Sequence, residues 1–598
     1  MTLRIERHRV DEKAIGEALD DFADRIGQDV NDQQHSGRDG FGWKMIGRDL
    51  VTYAAARSAT DPEAKADIRA ALYSAAEAFT GALLLDGAPT SVEVSVHLTY
   101  TGTGVSYRDL EEYGEKPRGQ RPIAPGRWAH ALYLCVISGL CDAYEGPLVQ
   151  FAAGFTEDQV LHRALAFYVY PGLGAERDQL TGYVESAMAP FFASLEEGSQ
   201  KGLPDLAAVD FELLFLHALL SRNEQLFWSL MAMRLAWLRD NRDSEDLDAL
   251  LPVAELAFAA LAVRVEGWTM PFDTDYLPRH LVQGGRGLRV GPYGADKDPE
   301  ALRLLAQGPI EVAHPAEAST GNWTVEKLFK RNDTWMGEAA QADTSRYRTA
   351  DDLMRYADFE QLTFGRSLSV DPQARHPRQL AAFTHASQFT AAAFACTAAG
   401  GESVEVALGE STAVLRTFGP RNGVSGNRLA TAVEYALISG SPERLEALLG
   451  MPEELFPRPG GPGTSVFLRY GVALLTYLRS APTGPGAVPG PRVREALDAA
   501  LEALAGHTRP GSPPPPVIAL SQLVAEDQEG FNLALADALE AYRDAYSFGE
   551  QARRSDGLVD RRSLTLACLA RMRGWEVRID SGYLPQGLLD RAGALSVP

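Results

Sequence analysis

Between Asp210 and Arg239, apolar residues recur at three-, four- and seven-residue steps: Leu213, Leu216, Leu220, Phe227, Leu230 and Met231. That spacing lays them along buried helical stripes. The polar run Ser221-Arg222-Asn223-Glu224 interrupts the pattern and predicts two helices joined by a short turn. A matching break, Glu526-Asp527-Gln528-Glu529-Gly530, carries the glycine and acids that suit a turn and a fresh helix start. Ala131 to Gly139 and Ala432 to Gly440 each read as a helix stopped by glycine, the residue that tolerates left-handed backbone. Helix pairs separated by tight turns predict antiparallel hairpins. A minor period of two also occurs: Val92, Val94 and Val96 alternate with Glu93 and Ser95, and Val404, Val406 and Leu408 with Glu405 and Ala407. Each run precedes a turn-rich patch, Gly102-Thr103-Gly104 or Gly419-Pro420, and predicts a small β-hairpin. Thr269 to Asp273 and Glu576 to Asp580 predict short extended pieces.

These features come in pairs because the chain repeats itself. Residues 256–283 and 563–590 align without a gap at an offset of 307: Gly267-Trp268 on Gly574-Trp575, Asp273 on Asp580, Tyr276-Leu277-Pro278 on Tyr583-Leu584-Pro585, and Leu281 on Leu588. The segments around Phe227 and Phe531 match at 304, Ile137-Ser138-Gly139 and Ile438-Ser439-Gly440 at 301, and Asp61-Pro62 and Asp371-Pro372 at 310. Such drift is what small loop insertions produce. The predicted fold is mainly α: two homologous helical domains built of antiparallel helix pairs, each with a small β-hairpin. The boundaries are 1–290 and 306–598, with 291–305 as the linker, since glycines gather around Gly284-Gly285-Arg286-Gly287 and no apolar periodicity follows. Proline-rich TGPGAVPGP (483–491) and PGSPPPP (510–516) predict loops inside the second copy.

Charge narrows the function. The 598 residues carry 57 basic and 80 acidic side chains, a net charge of −23. This argues against nucleic acid as a partner, because phosphate neutralisation needs a basic surface. No run reaches the ~20 apolar residues of a membrane span, and the charged N-terminus does not read as a signal peptide, so no membrane partner is expected. Four cysteines without a C-x-x-C pair suit a reducing compartment, most simply the cytoplasm. The acid is unevenly divided: residues 1–290 carry −16 and the remainder −7.

Chemistry is hard to find. None of the eleven histidines falls in a metal-binding spacing, and histidine positions do not repeat: His280 aligns with Gly587, and His385 with Ala75. Gly423-Val424-Ser425-Gly426 is not a nucleophile elbow, and Thr101-Gly102-Thr103-Gly104 lacks the lysine of a phosphate loop. Cys135 and Cys141 read as small buried hydrophobes. No catalytic residue, metal or cofactor is assigned. The densest acidic cluster, Asp240, Asp243, Glu245, Asp246 and Asp248, reads either as a solvated loop that caps the next helix or as a docking patch for a basic partner. The repeated Trp268, Tyr276, Pro278 and Trp575, Tyr583, Pro585 read as structural anchors, although Trp and Tyr also serve as interface hot spots.

Each half resembles the immunity protein 49 family, a mostly α-helical group found beside polymorphic toxins in bacteria. The resemblance rests on Ile5-Glu6-Arg7-His8, on Asp61-Pro62, on Leu566-Ala567-Cys568-Leu569-Ala570, and on Tyr583-Leu584-Pro585. It implies a non-enzymatic, toxin-neutralising immunity protein that binds and occludes a cognate bacterial toxin, and the acidic balance of the chain points to a basic one. The alternative is a non-catalytic helical interaction scaffold in a regulatory or defence assembly. Doubling departs from the family pattern. Two copies could bind two toxins, grip one bivalently, or leave one copy purely structural.

Overall fold

A computed structural model describes residues 3–35, 40–89, 91–107, 122–198, 209–284, 287–313, 324–340, 349–419, 423–458, 464–480, 490–507 and 509–593. It is mainly α, with a few short strand pairs. The chain forms two compact units, Met1–Arg286 with Phe548–Glu550, and Gly287–Ser547 with Gln551–Pro598.

In the first unit the helices Phe41–Thr60 and Lys65–Gly87 are joined by only four residues, which turns the chain straight back. They pack closely because their facing residues are small: Ala54, Ala55, Ala71, Ala75 and Ala78 are all fully buried. Lys65–Gly87 is long and apolar enough to cross a membrane, and 89% of its most apolar stretch is buried inside the protein. The second unit repeats this pair as Ala350–Ser367 and Pro377–Ala398. Even a buried hydroxyl recurs. Ser58 donates to the Ala55 carbonyl and Ser367 to that of Phe364, each at 2.7 Å.

The predicted breaks and stops are present. Phe211–Leu220 gives way to Glu224–Asn241, and Val517–Ala525 to Gln528–Ala545. Asn223 and Asp527 cap the second helix of each pair, just after Arg222 and Glu526 in left-handed backbone. Gly139 and Gly440 end their helices at φ 70° and 65°. Each unit has its hairpin: Val94–Leu98 with Thr103–Tyr107, and Ser403–Leu408 with Ser411–Arg416. The second hairpin turns at Gly409-Glu410, ahead of the expected Gly419-Pro420, because Gly409 supplies the positive φ of 62° in a tight connection.

Of the two expected extended pieces only the C-terminal ends form strands, two residues each, and their partners are distant. Arg4–Ile5 pairs in parallel with Asp273–Thr274, and Ile310–Glu311 with Ile579–Asp580. Both strands of the second ladder lie 306 residues after those of the first, one position from the sequence offset of 307, so each repeat begins and ends on an equivalent two-residue clasp.

Residues 291–305, expected as a linker, carry a 3-10 turn (Pro292–Gly294) and most of a helix (Pro299–Gln307). Asp298 caps that helix, Pro299 opens it, and Ala301 and Leu305 enter the second unit's core. Arg289 is tied to Asp537 at 2.6 Å and to Glu540 at 2.7 Å. The proline-rich 510–516 segment is a loop; of the other, residues 483–489 lie outside the described residues.

Candidate functional site

The five clustered acids occupy the connection between the helices Glu224–Asn241 and Val253–Arg264, and their surroundings divide them. Asp248 begins a 3-10 turn and accepts the Thr52 hydroxyl at 2.5 Å. Asp246 pairs with Arg242 at 3.1 Å and accepts the Ala249 amide. These two fasten the loop. Asp240 is paired with Arg239 at 2.7 Å on the surface. Asp243 and Glu245 are exposed and, among the described residues, have no cation within ion-pair distance. Trp237, one turn before the loop, lies beneath the guanidinium groups of Arg234 and Arg242.

The repeated motif is an anchor in both units. Gly267 (φ 74°) and Gly574 (φ 79°) follow the ends of equivalent helices and turn the chain so that the next tryptophan folds back. Trp268 meets Phe227 edge-on with centroids 5.6 Å apart, and Trp575 meets Phe531 at 5.8 Å. Tyr276 and Tyr583 are fully buried. Pro278 and Pro585 accept the Leu281 and Leu588 amides at 2.9 and 3.0 Å and so open the last helix of each unit.

In the first unit the anchor and the acidic loop are joined. The Tyr276 hydroxyl accepts the His8 amide at 2.9 Å and lies 3.0 Å from His8 Nδ1. His8 Nε2 is 3.0 Å from the Asp246 carbonyl. A carbonyl can only accept, so Nε2 carries the proton and Nδ1 accepts from the tyrosine. One buried imidazole thus ties the N-terminal segment to two regions the sequence presents separately.

The equivalent connection in the second unit is different. It runs from Tyr546 to Asp560, fifteen residues against eleven (242–252), and borders a cleft of about 410 Å³. Tyr542, Tyr546, Arg554, Arg561, Arg562 and Phe467 line much of it, with Gln361, Asp556 and Asp560. Arg561 pairs with buried Glu434 at 2.6 Å and donates to Gln361 Oε1 at 2.7 Å. Arg554 pairs with Asp556 at 2.7 Å. Asp560 caps the helix Arg561–Met572 by accepting the Arg562 and Ser563 amides, and burial raises its carboxyl above the usual range. None of these residues was singled out above. The available signal was two arginine pairs, Arg553-Arg554 and Arg561-Arg562, within ten residues of an acidic chain.

Burial pushes the thiols of Cys141 and Cys568 up to about 12 and that of Cys396 to about 11, and raises that of Cys135 further, which suits packing rather than nucleophilic attack.

Comparison with known proteins agrees with the repeat. A family model described as Immunity protein 49 matches residues 59–281 and, a second time, residues 371–588. No curated protein and no solved structure matches the chain. The two matches fall one in each repeat and together span most of the sequence, so the chain belongs to the immunity protein 49 family and contains two copies of its unit.

Proposed function

We propose that this protein neutralises a cognate toxin by binding and occluding it, without catalysis, in the cytoplasm. The observation that carries the reading is the family match in both halves of the chain. The acidic balance supports a basic partner, since complementary charge speeds encounter and disfavours wrong partners. Within the first copy, Asp240, Asp243 and Glu245 offer that partner their carboxylates, and Trp237 offers an aromatic anchor beside them. Asp246 and Asp248 serve the loop's shape instead.

The test is capture of tagged full-length protein from its host at low and high salt, followed by co-expression with the captured partner. A basic, toxic partner that is released at high salt and tolerated only when the protein is present is the expected result. A stable assembly of non-toxic partners, with no protection, would favour the scaffold reading instead.

A further inference from the structure

The cleft of the second unit has no counterpart in the chemistry of the first. At the repeat offset of 307, Asp560 and Arg561 correspond to Val253 and Ala254. At the offset of 304, Tyr542 corresponds to Leu238. Gln361, on the cleft wall, corresponds at 309 to Thr52, whose hydroxyl fastens Asp248 and closes the first unit's loop against its helix. The equivalent position is therefore occupied by a loop fastened through Thr52 and Asp248 in one copy and bordered by a polar cleft in the other.

Ion pairing within the cleft is incomplete. Glu434 neutralises Arg561 and Asp556 neutralises Arg554. Asp560 is held by two backbone amides at the first turn of its helix, where the dipole favours negative charge. Arg562 has no carboxylate within ion-pair distance among the described residues. Its guanidinium instead lies 4.8 Å over the Phe467 ring, which fixes its plane and leaves its donors for another acceptor. The Tyr470 hydroxyl is buried without a hydrogen-bond partner, and burial, with Glu434 nearby, raises it well above its ordinary range.

We propose that this cleft binds a small organic anion, a carboxylate or phosphate attached to a flat ring, with Arg562 pairing the anionic group and the Phe467, Tyr542 and Tyr546 walls receiving the ring. The cleft's size falls within the ordinary range of small-ligand sites, roughly 300–1,000 Å³. The site concerns the second copy alone and is independent of toxin binding.

Titration calorimetry of the full-length chain with AMP, benzoate and inorganic phosphate tests it. AMP or benzoate should bind saturably and about tenfold or more tighter than inorganic phosphate, because only the ring-bearing probes use the aromatic walls. Arg562→Gln should weaken that binding about tenfold or more, and Arg562→Lys by less, with unchanged melting temperatures. Arg554→Gln, at an exposed position, supplies a second reading should Arg562→Gln unfold; it should weaken binding by removing a cation from the rim. Absence of saturable binding by all three probes, equal affinity for phosphate and the ring-bearing probes, or indifference of a folded Arg562→Gln protein would each overturn the proposal.

Discussion

The same stretch of the repeated unit, the connection into its last long helix, has become two different things. In the first copy, eleven residues fold down tightly: Ala249, Leu250 and Leu251 are buried, Thr52 holds Asp248, and the surplus acid is left facing solvent. In the second copy the connection is fifteen residues long, and Tyr546, Gln551, Arg554, Asp556, Val559 and Asp560 of it border a cleft, beside which Arg561 pairs with buried Glu434. The surrounding helices, the glycine stops and the terminal clasp are shared. Duplication therefore preserved the scaffold wherever packing defines it and let chemistry diverge where a connection could change length without disturbing the core.

The largest effect should come from the buried pair that only the second copy has. Glu434 corresponds to Tyr133 in the first copy, so Glu434→Ala strands a charge that the first unit never buries. The expected cost is about 3–5 kcal/mol. Denaturant unfolding followed by hydrogen exchange should show the loss in peptides of residues 350–593 and little change before residue 284. An equal loss in both units would contradict the separation.

Acid should weaken the first unit through two histidines that the second lacks. Desolvation lowers His130 and His280 from 6.5 to about 4, and Thr431 and Gly587 take their places in the second copy. Because the folded state holds these imidazoles neutral, their contribution is whole above pH 6.5. It drains away as pH falls toward 4, by at most about 1.4 kcal/mol per unit for each histidine. A His130→Gln/His280→Gln protein should show a shallower decline over that window in the first unit and an unchanged one in the second.

Smaller effects probe what the copies share. Tyr276→Phe removes the hydroxyl on which His8 depends and should cost about 1–3 kcal/mol, with faster amide exchange at His8 and along the Arg4–Ile5 clasp. Gly267→Ala and Gly574→Ala should cost about 1–2 kcal/mol each, and nearly equally. Neither added methyl group meets another atom within 4 Å, so only the left-handed backbone penalty remains. Unequal costs would mean that the two turns are not equivalent.

The sequence carried the parts of this fold that are written locally. Helix breaks at Arg222 and Glu526 and stops at Gly139 and Gly440 show because periodicity and turn residues lie side by side. The second hairpin turns at Gly409-Glu410 although Gly419-Pro420 carries the stronger local turn signal, because strand pairing depends on partners across the ladder. The junction at 291–305 hid its helix behind glycines, although Asp298-Pro299 and the Ala301–Leu305 step were present. The cleft was out of reach for a different reason. Gln361, Phe467, Tyr546 and Arg562 come from segments spread over some 200 residues, and nothing in any one of them announces a wall.

The smallest stability effect bears most directly on function. Asp243→Asn and Glu245→Gln alter exposed carboxylates without ion-pair partners, so folding should change by no more than about 0.5 kcal/mol. If the first copy's loop meets a basic partner, the same double variant should slow association several-fold at low salt and leave dissociation almost untouched, since surface charge acts mainly on encounter. The difference between wild type and variant should vanish as salt shortens the range of the charges. Asp248→Ala provides the contrast: it removes the acceptor of the Thr52 hydroxyl that shapes the loop and should act through stability and dissociation instead. Stopped-flow association across a salt series separates the two. Should the double variant associate at the wild-type rate at low salt, the outward acid of the first copy would be a matter of solubility, and the partner's face would have to be sought elsewhere.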